Sequence, residues 1–160
     1  MSGSSTGTKV VNATGSIFVD SLLVSRAWSA ATVTYAFPTL TSDYSYSGYK
    51  DFGFSAISTA QKNTALFAME QSLGTAANDG FSIEGFTNLN FQAGSSTNAT
   101  IRFAQSDLPE TAEVADFPGN LVTTSAADDG DIWFGTAYAG TVNNYRAPVA
   151  GNYAWHTLIH

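Results

Sequence analysis

His156 and His160 are the only histidines in the 160-residue chain, and they stand four apart. On a helix that spacing puts both imidazoles on one face, where they could chelate a metal ion. A surface helix whose histidines bind nothing satisfies the same spacing, and spacing alone favours it. The chain has no cysteine, so thiolate ligands, disulfides and cysteine nucleophiles are excluded together. Asp128-Asp129-x-Asp131 has some of the look of a calcium loop. It lacks the sixth-position Gly and the closing Glu of an EF-hand, so a solvated turn ahead of a strand is expected. Glu113 and Asp116 could work as paired carboxylates, but no partner acid is placed elsewhere and surface charge is the default. Trp28, Trp133 and Trp155 could stack on sugars, although aromatic side chains in a low-charge domain are more often core. No Gly-rich phosphate loop occurs.

These side chains need elements to hold them. Asn152 after Gly151 is a good helix N-cap, which predicts a helix over 153–160. Thr32 to Phe37 alternates, with Val33, Tyr35 and Phe37 on one face and Pro38 ending it, which predicts a first strand. Residues 39–53, rich in Tyr, Ser, Gly and Asp, suit an ordered surface loop. Ser58-Thr59-Ala60-Gln61 has the capping-box arrangement, and Ala65, Leu66, Met69 and Leu73 recur at helical spacing before Gly74. A helix over about 58–73 follows. Phe86 to Phe91 and Ala99 to Ala104 read as two further strands. Glu113 to Phe117, closed by Pro118, suits a short edge strand, and Asp131 to Phe134 a fifth. The helix between strands one and two implies a parallel crossover. Asp20 to Leu23, followed by Ala27-Trp28, looks like a short helical or irregular turn leading into a strand. Residues 1–15 read as a flexible leader or pro-segment, and 16–160 as one domain.

Composition sets limits on partners. Hydrophobic residues are 44% and charged residues only 12%, so Ser, Thr, Asn and Gly must cover much of the surface. The net charge is −7 and the six Lys and Arg are scattered, so nothing neutralises a phosphate backbone and nucleic acid is not expected. No apolar run is long enough to span a bilayer, and Met1 to Thr8 lacks the apolar core of a secretory signal.

The closing Gly151-Asn152-Tyr153-Ala154-Trp155-His156-Thr157-Leu158-Ile159-His160 resembles the start of the active-site helix of serralysin-like metzincin peptidases. In that family Thr-Leu-x-His runs into His-Glu-x-x-His-x-x-Gly-x-x-His. Val19 to Pro38 is similar to the segment that begins the family's catalytic domain, and Phe54 to Gln71 to its first long helix. Phe86 to Gln92, Ala99 to Ser106 and Asp128 to Phe134 look like later strands, in the family's order.

The resemblance implies an α+β, zincin-like fold: a twisted, mostly parallel mixed five-stranded sheet with one full helix and a truncated active-site helix. His160 would be the first zinc ligand, with His156 only a neighbour. Val114, Ala115 and Asp116 would lie on an antiparallel edge strand that a peptide substrate extends. The function implied is that of a secreted, bacterial zinc metalloendopeptidase, exported to the extracellular space without an N-terminal signal. As given, the chain would be a catalytically incomplete fragment, ending before the Glu base, two zinc ligands and the calcium-binding repeats. A non-catalytic secreted binding or adhesion module on the same sheet is the alternative.

Overall fold

The computed structural model describes residues 7–21, 23–70, 82–108, 113–115, 127–136, 139–141 and 144–159. Its elements in chain order are strand β1 (Thr8–Val10), helix α1 (Ile17–Asp20), β2 (Arg26–Trp28), β3 (Thr32–Ala36), β4 (Ser55–Ala56), α2 (Thr59–Glu70), α3 (Ile83–Phe86), β5 (Asn90–Ala93), β6 (Ile101–Ser106), β7 (Glu113–Ala115), β8 (Asp131–Gly135) and α4 (Tyr153–Ile159).

The main sheet runs β5-β3-β6-β8-β7, a mixed and mostly parallel path of five strands. β3 pairs parallel with β5 (Val33 opposite Phe91) and with β6 (Tyr35 opposite Ile101), and β6 pairs parallel with β8. β7 alone on this path is antiparallel, with Val114 opposite Trp133. Two-residue β4 adds to β6 at Ala104 and Gln105, further along β6 than the β3 contact at Ile101 and Arg102. The fold is therefore α+β, with the expected five-strand mixed sheet.

Strand alternation gives the sheet two different faces. Val33, Tyr35, Phe91, Phe103 and Phe134 form one core with Ala65 and Met69 of α2, and Leu158 of α4 packs against it. On the opposite face Ala104 and Trp133 are covered by Tyr44, with Tyr46, Tyr49 and Phe54 around them. Residues 39–53 were expected to be a surface loop. The loop is ordered, as expected, on two 3-10 turns, Thr41–Asp43 and Tyr49–Asp51, and most of it is at least partly exposed, but it also lies over the sheet and buries Tyr44 there. An apolar strand face has to be covered, and aromatic rings in a loop do this as well as a helix would.

Local chemistry sets the boundaries of α2 and α3. The capping box at the start of α2 is present: Gln61 N–H donates to Ser58 Oγ (3.1 Å) and Ser58 N–H to Gln61 Oε1 (2.8 Å). The helix is described to Glu70, and Leu73 and Gly74 lie outside the described residues. The strand expected from Phe86 starts only at Asn90, because Ser82 caps a helical turn through Gly85 N–H (3.1 Å). Thr87 Oγ1 then donates to Ile83 O, which closes that turn. Part of the expected leader is also ordered, since Thr8–Val10 pairs antiparallel with β2.

Candidate functional site

Helix α4 and strand β7 carry the residues that the sequence points to. Asn152 caps α4 as expected: its Oδ1 accepts from Trp155 N–H (2.8 Å) and Val149 N–H (3.1 Å), while its Nδ2 donates to Ala147 O (3.0 Å). The helix buries Ala154 and Thr157 and rests Trp155 on Phe67 of α2, with ring centroids 5.4 Å apart. Leu158 packs against the core on the sheet, whereas Ile159 is 48% exposed. His156 is on the exposed side of α4. His160 lies outside the described residues.

β7 ends the sheet. Its Glu113, Val114 and Ala115 stand opposite Phe134, Trp133 and Ile132, and among the described residues no strand pairs its other side. Alternate backbone N–H and C=O groups of an edge strand point away from its neighbour, ready for another extended chain. Asp116 lies outside the described residues.

Zinc can be tested against these groups. No three His, Cys, Asp or Glu side chains gather among the described residues, and the whole sequence has two histidines. The described residues do not by themselves make a zinc-ligand set.

The main polar centre lies elsewhere and was missed in the sequence. Arg102 of β6 and Asp131 of β8 are opposite each other, 1% and 0% exposed. Arg102 Nε donates to Asp131 Oδ1 (2.7 Å) and Nη2 to Oδ2 (2.5 Å). Tyr46 Oη also donates to Oδ2 (2.5 Å) and accepts from Trp133 Nε1 (3.2 Å). The guanidinium bonds Asp43 O and lies 4.2 Å from the centroid of the Tyr44 ring. Burial raises the Asp131 carboxyl from 3.8 to about 6, against the opposing pull of Arg102 and Tyr46. Burial and the nearby Asp131 charge also push the Tyr46 phenol upward.

The turn expected ahead of the strand is present, closed by Asp131 N–H to Asp128 O (2.9 Å), but it is not solvated: Asp129 and Asp131 are both buried. With its oxygens already held by Arg102 and Tyr46, the Asp131 carboxylate acts as a fastening between the two central strands and the aromatic loop. One signal pointed to it. Arg102 stands between Ile101 and Phe103 in a strand pattern, and a buried cation requires an acid.

No family model matches the chain, and no curated protein matches it.

Proposed function

We propose that the chain is the sheet-bearing part of a secreted zinc metalloendopeptidase of the zincin-like, serralysin-like kind, and that its own task is to hold an extended peptide along β7. The observation that carries this is the antiparallel edge strand on an otherwise parallel path, next in the sheet to the strand that precedes the capped helix α4. Main-chain pairing to such an edge gives affinity largely independent of sequence, which suits an endopeptidase. In the resembled family, zinc supplies the activated water that hydrolyses the peptide bond. Here His160 would be one ligand, and the remaining ligands and the Glu base would have to come from residues outside these 160.

Two measurements test this. An unstructured peptide of alternating apolar residues, added in excess, should slow amide exchange over residues 113–115 of the 160-residue protein. Unchanged exchange there removes the substrate platform. A polypeptide that continues His160 with Glu-x-x-His-x-x-Gly-x-x-His should hydrolyse casein when loaded with zinc, and the 160-residue chain should not. If dialysis and elemental analysis find stoichiometric, chelator-resistant zinc in the 160-residue chain, then His156 and His160 are a metal pair and the ligand assignment fails.

A further inference from the structure

The main sheet has two edges, β7 at one end and β5 at the other. Either could offer an extended chain a row of backbone groups. Along β5 the N–H groups of Asn90 and Gly94 donate to Ala31 O and Tyr35 O (both 2.8 Å), so the even-numbered residues turn their backbone groups toward β3. Alternation then turns the N–H and C=O of Phe91 and Ala93 away from the sheet. These are the groups that an added strand would need.

Phe91 N–H is already taken. It donates to the carboxylate of Glu84, which stands seven residues earlier on the one-turn helix α3. Local bonds set up this approach. Ser82 caps the turn, Thr87 Oγ1 closes it on Ile83 O (2.7 Å), and Leu89 N–H donates to Thr87 Oγ1 (3.2 Å) as the chain enters β5. The Phe91 side chain is held in the core, which fixes the amide that Glu84 meets. A hydrogen bond to an ionised acceptor is roughly twice as strong as a neutral one. An incoming strand would have to bring a backbone carbonyl to the position the carboxylate occupies. Among the described residues no cation pairs with Glu84, so its charge also opposes that carbonyl. No comparable side-chain bond caps β7 among the described residues.

We propose that Glu84 is a specificity-determining residue of the peptide platform: its carboxylate closes the β5 edge to extended polypeptide, so that strand addition is confined to β7. The inference deepens the reading of β7 as a substrate platform and rests on it for its functional meaning. What is excluded at β5 is polypeptide backbone in extended form, whatever its side chains, because the contested group is a main-chain amide.

Amide exchange in the 160-residue protein, with and without a capped peptide alternating Val and Thr, tests this edge by edge. Without peptide, Glu84→Ala should speed exchange of the Phe91 amide and leave that of Gln92, turned toward β3, at the parent's rate. Equal acceleration of both would mean that Glu84 merely holds the strand in place, and would overturn the proposal. Removing a charge-assisted bond that an added strand must first break should favour addition at β5 by roughly tenfold. A peptide concentration that leaves the parent's Ala93 amide unchanged should therefore slow it in Glu84→Ala. Glu84→Gln keeps an acceptor for Phe91 N–H and should stay close to the parent. Slowing of Ala93 in the parent to the same extent as in Glu84→Ala, or no slowing in Glu84→Ala, overturns the proposal. Glu84→Ser, too short to reach Phe91, decides in the same way if Glu84→Ala does not fold. The two edges are read separately: peptide that slows Ala93 of Glu84→Ala but leaves residues 113–115 unchanged removes the platform at β7 and upholds the closure of β5.

Discussion

Arg102 and Asp131 show how an ion pair can fasten a structure without adding to its net stability in simple proportion. Each charge has lost nearly all its water, and each is compensated only by the other and by the groups around them. Removing one partner leaves a buried charge, so Asp131→Ala should lower unfolding free energy by about 3–5 kcal/mol in urea titration. Arg102→Met combined with Asp131→Leu should recover most of that loss. The pH dependence follows from the raised carboxyl. The unfolded chain releases this proton near 3.8 and the folded chain holds it to about 6. The group's contribution to stability is thus fully present below 3.8 and is lost as pH rises through about 6. The stability of the parent relative to Asp131→Asn should therefore increase when pH is lowered from 7 to 5. A decrease would mean that the Arg102 field outweighs burial.

At the scale of elements, the features legible in the sequence were those made by neighbours in the chain. The Ser58 capping box and the Asn152 cap join residues three apart, and both form as expected. Ser58→Ala should cost about 1 kcal/mol or somewhat more, because the hydroxyl also donates to Arg146 O (2.6 Å) and so ties α2 to the segment before α4. Thermal unfolding of that variant measures the cost. The start of β5 was misplaced for an equally local reason, since Ser82 and Thr87 hold a turn whose residues also pass for a strand. Gly130 is a further case, visible only in three dimensions. It sits at φ +81°, and a Cβ there would come 2.1 Å from Thr100 O. Gly130→Ala must therefore push β8 away from the loop before β6 as well as adopt a strained backbone, and a loss of about 3 kcal/mol or more is expected in urea titration.

Over the whole molecule, the mixed sheet could be anticipated from alternation and order, whereas the covering of its second face could not. Tyr44 meets Trp133 at 4.7 Å between ring centroids across 89 residues of chain, and no local pattern marks that contact. The same holds for Arg102 and Asp131, where strand pairing joins residues 29 apart. Strand β7 was legible because a short segment closed by Pro118 is a local sign of a strand at an edge. Depth of packing should govern how the molecule opens. β6 and β8 are neighbours in the middle of the sheet, covered by helices on one side and by the aromatic loop on the other. β1 and β2 form a separate two-stranded ribbon, with Val10 59% exposed. Two strands alone are marginal in water, so the ribbon depends on Trp28 reaching the core. Amides of β6 and β8 should then exchange only through global unfolding, with the same denaturant dependence as the urea transition. Amides of Lys9 and Ala27 should exchange through a local opening at much lower free energy. Trp28→Ala should release the ribbon further and leave the slowest amides of β6 slow relative to the variant's own global stability. If the ribbon and β6 instead exchange together in both proteins, the two sheets form one cooperative unit, and the ribbon is held by more than that single side chain.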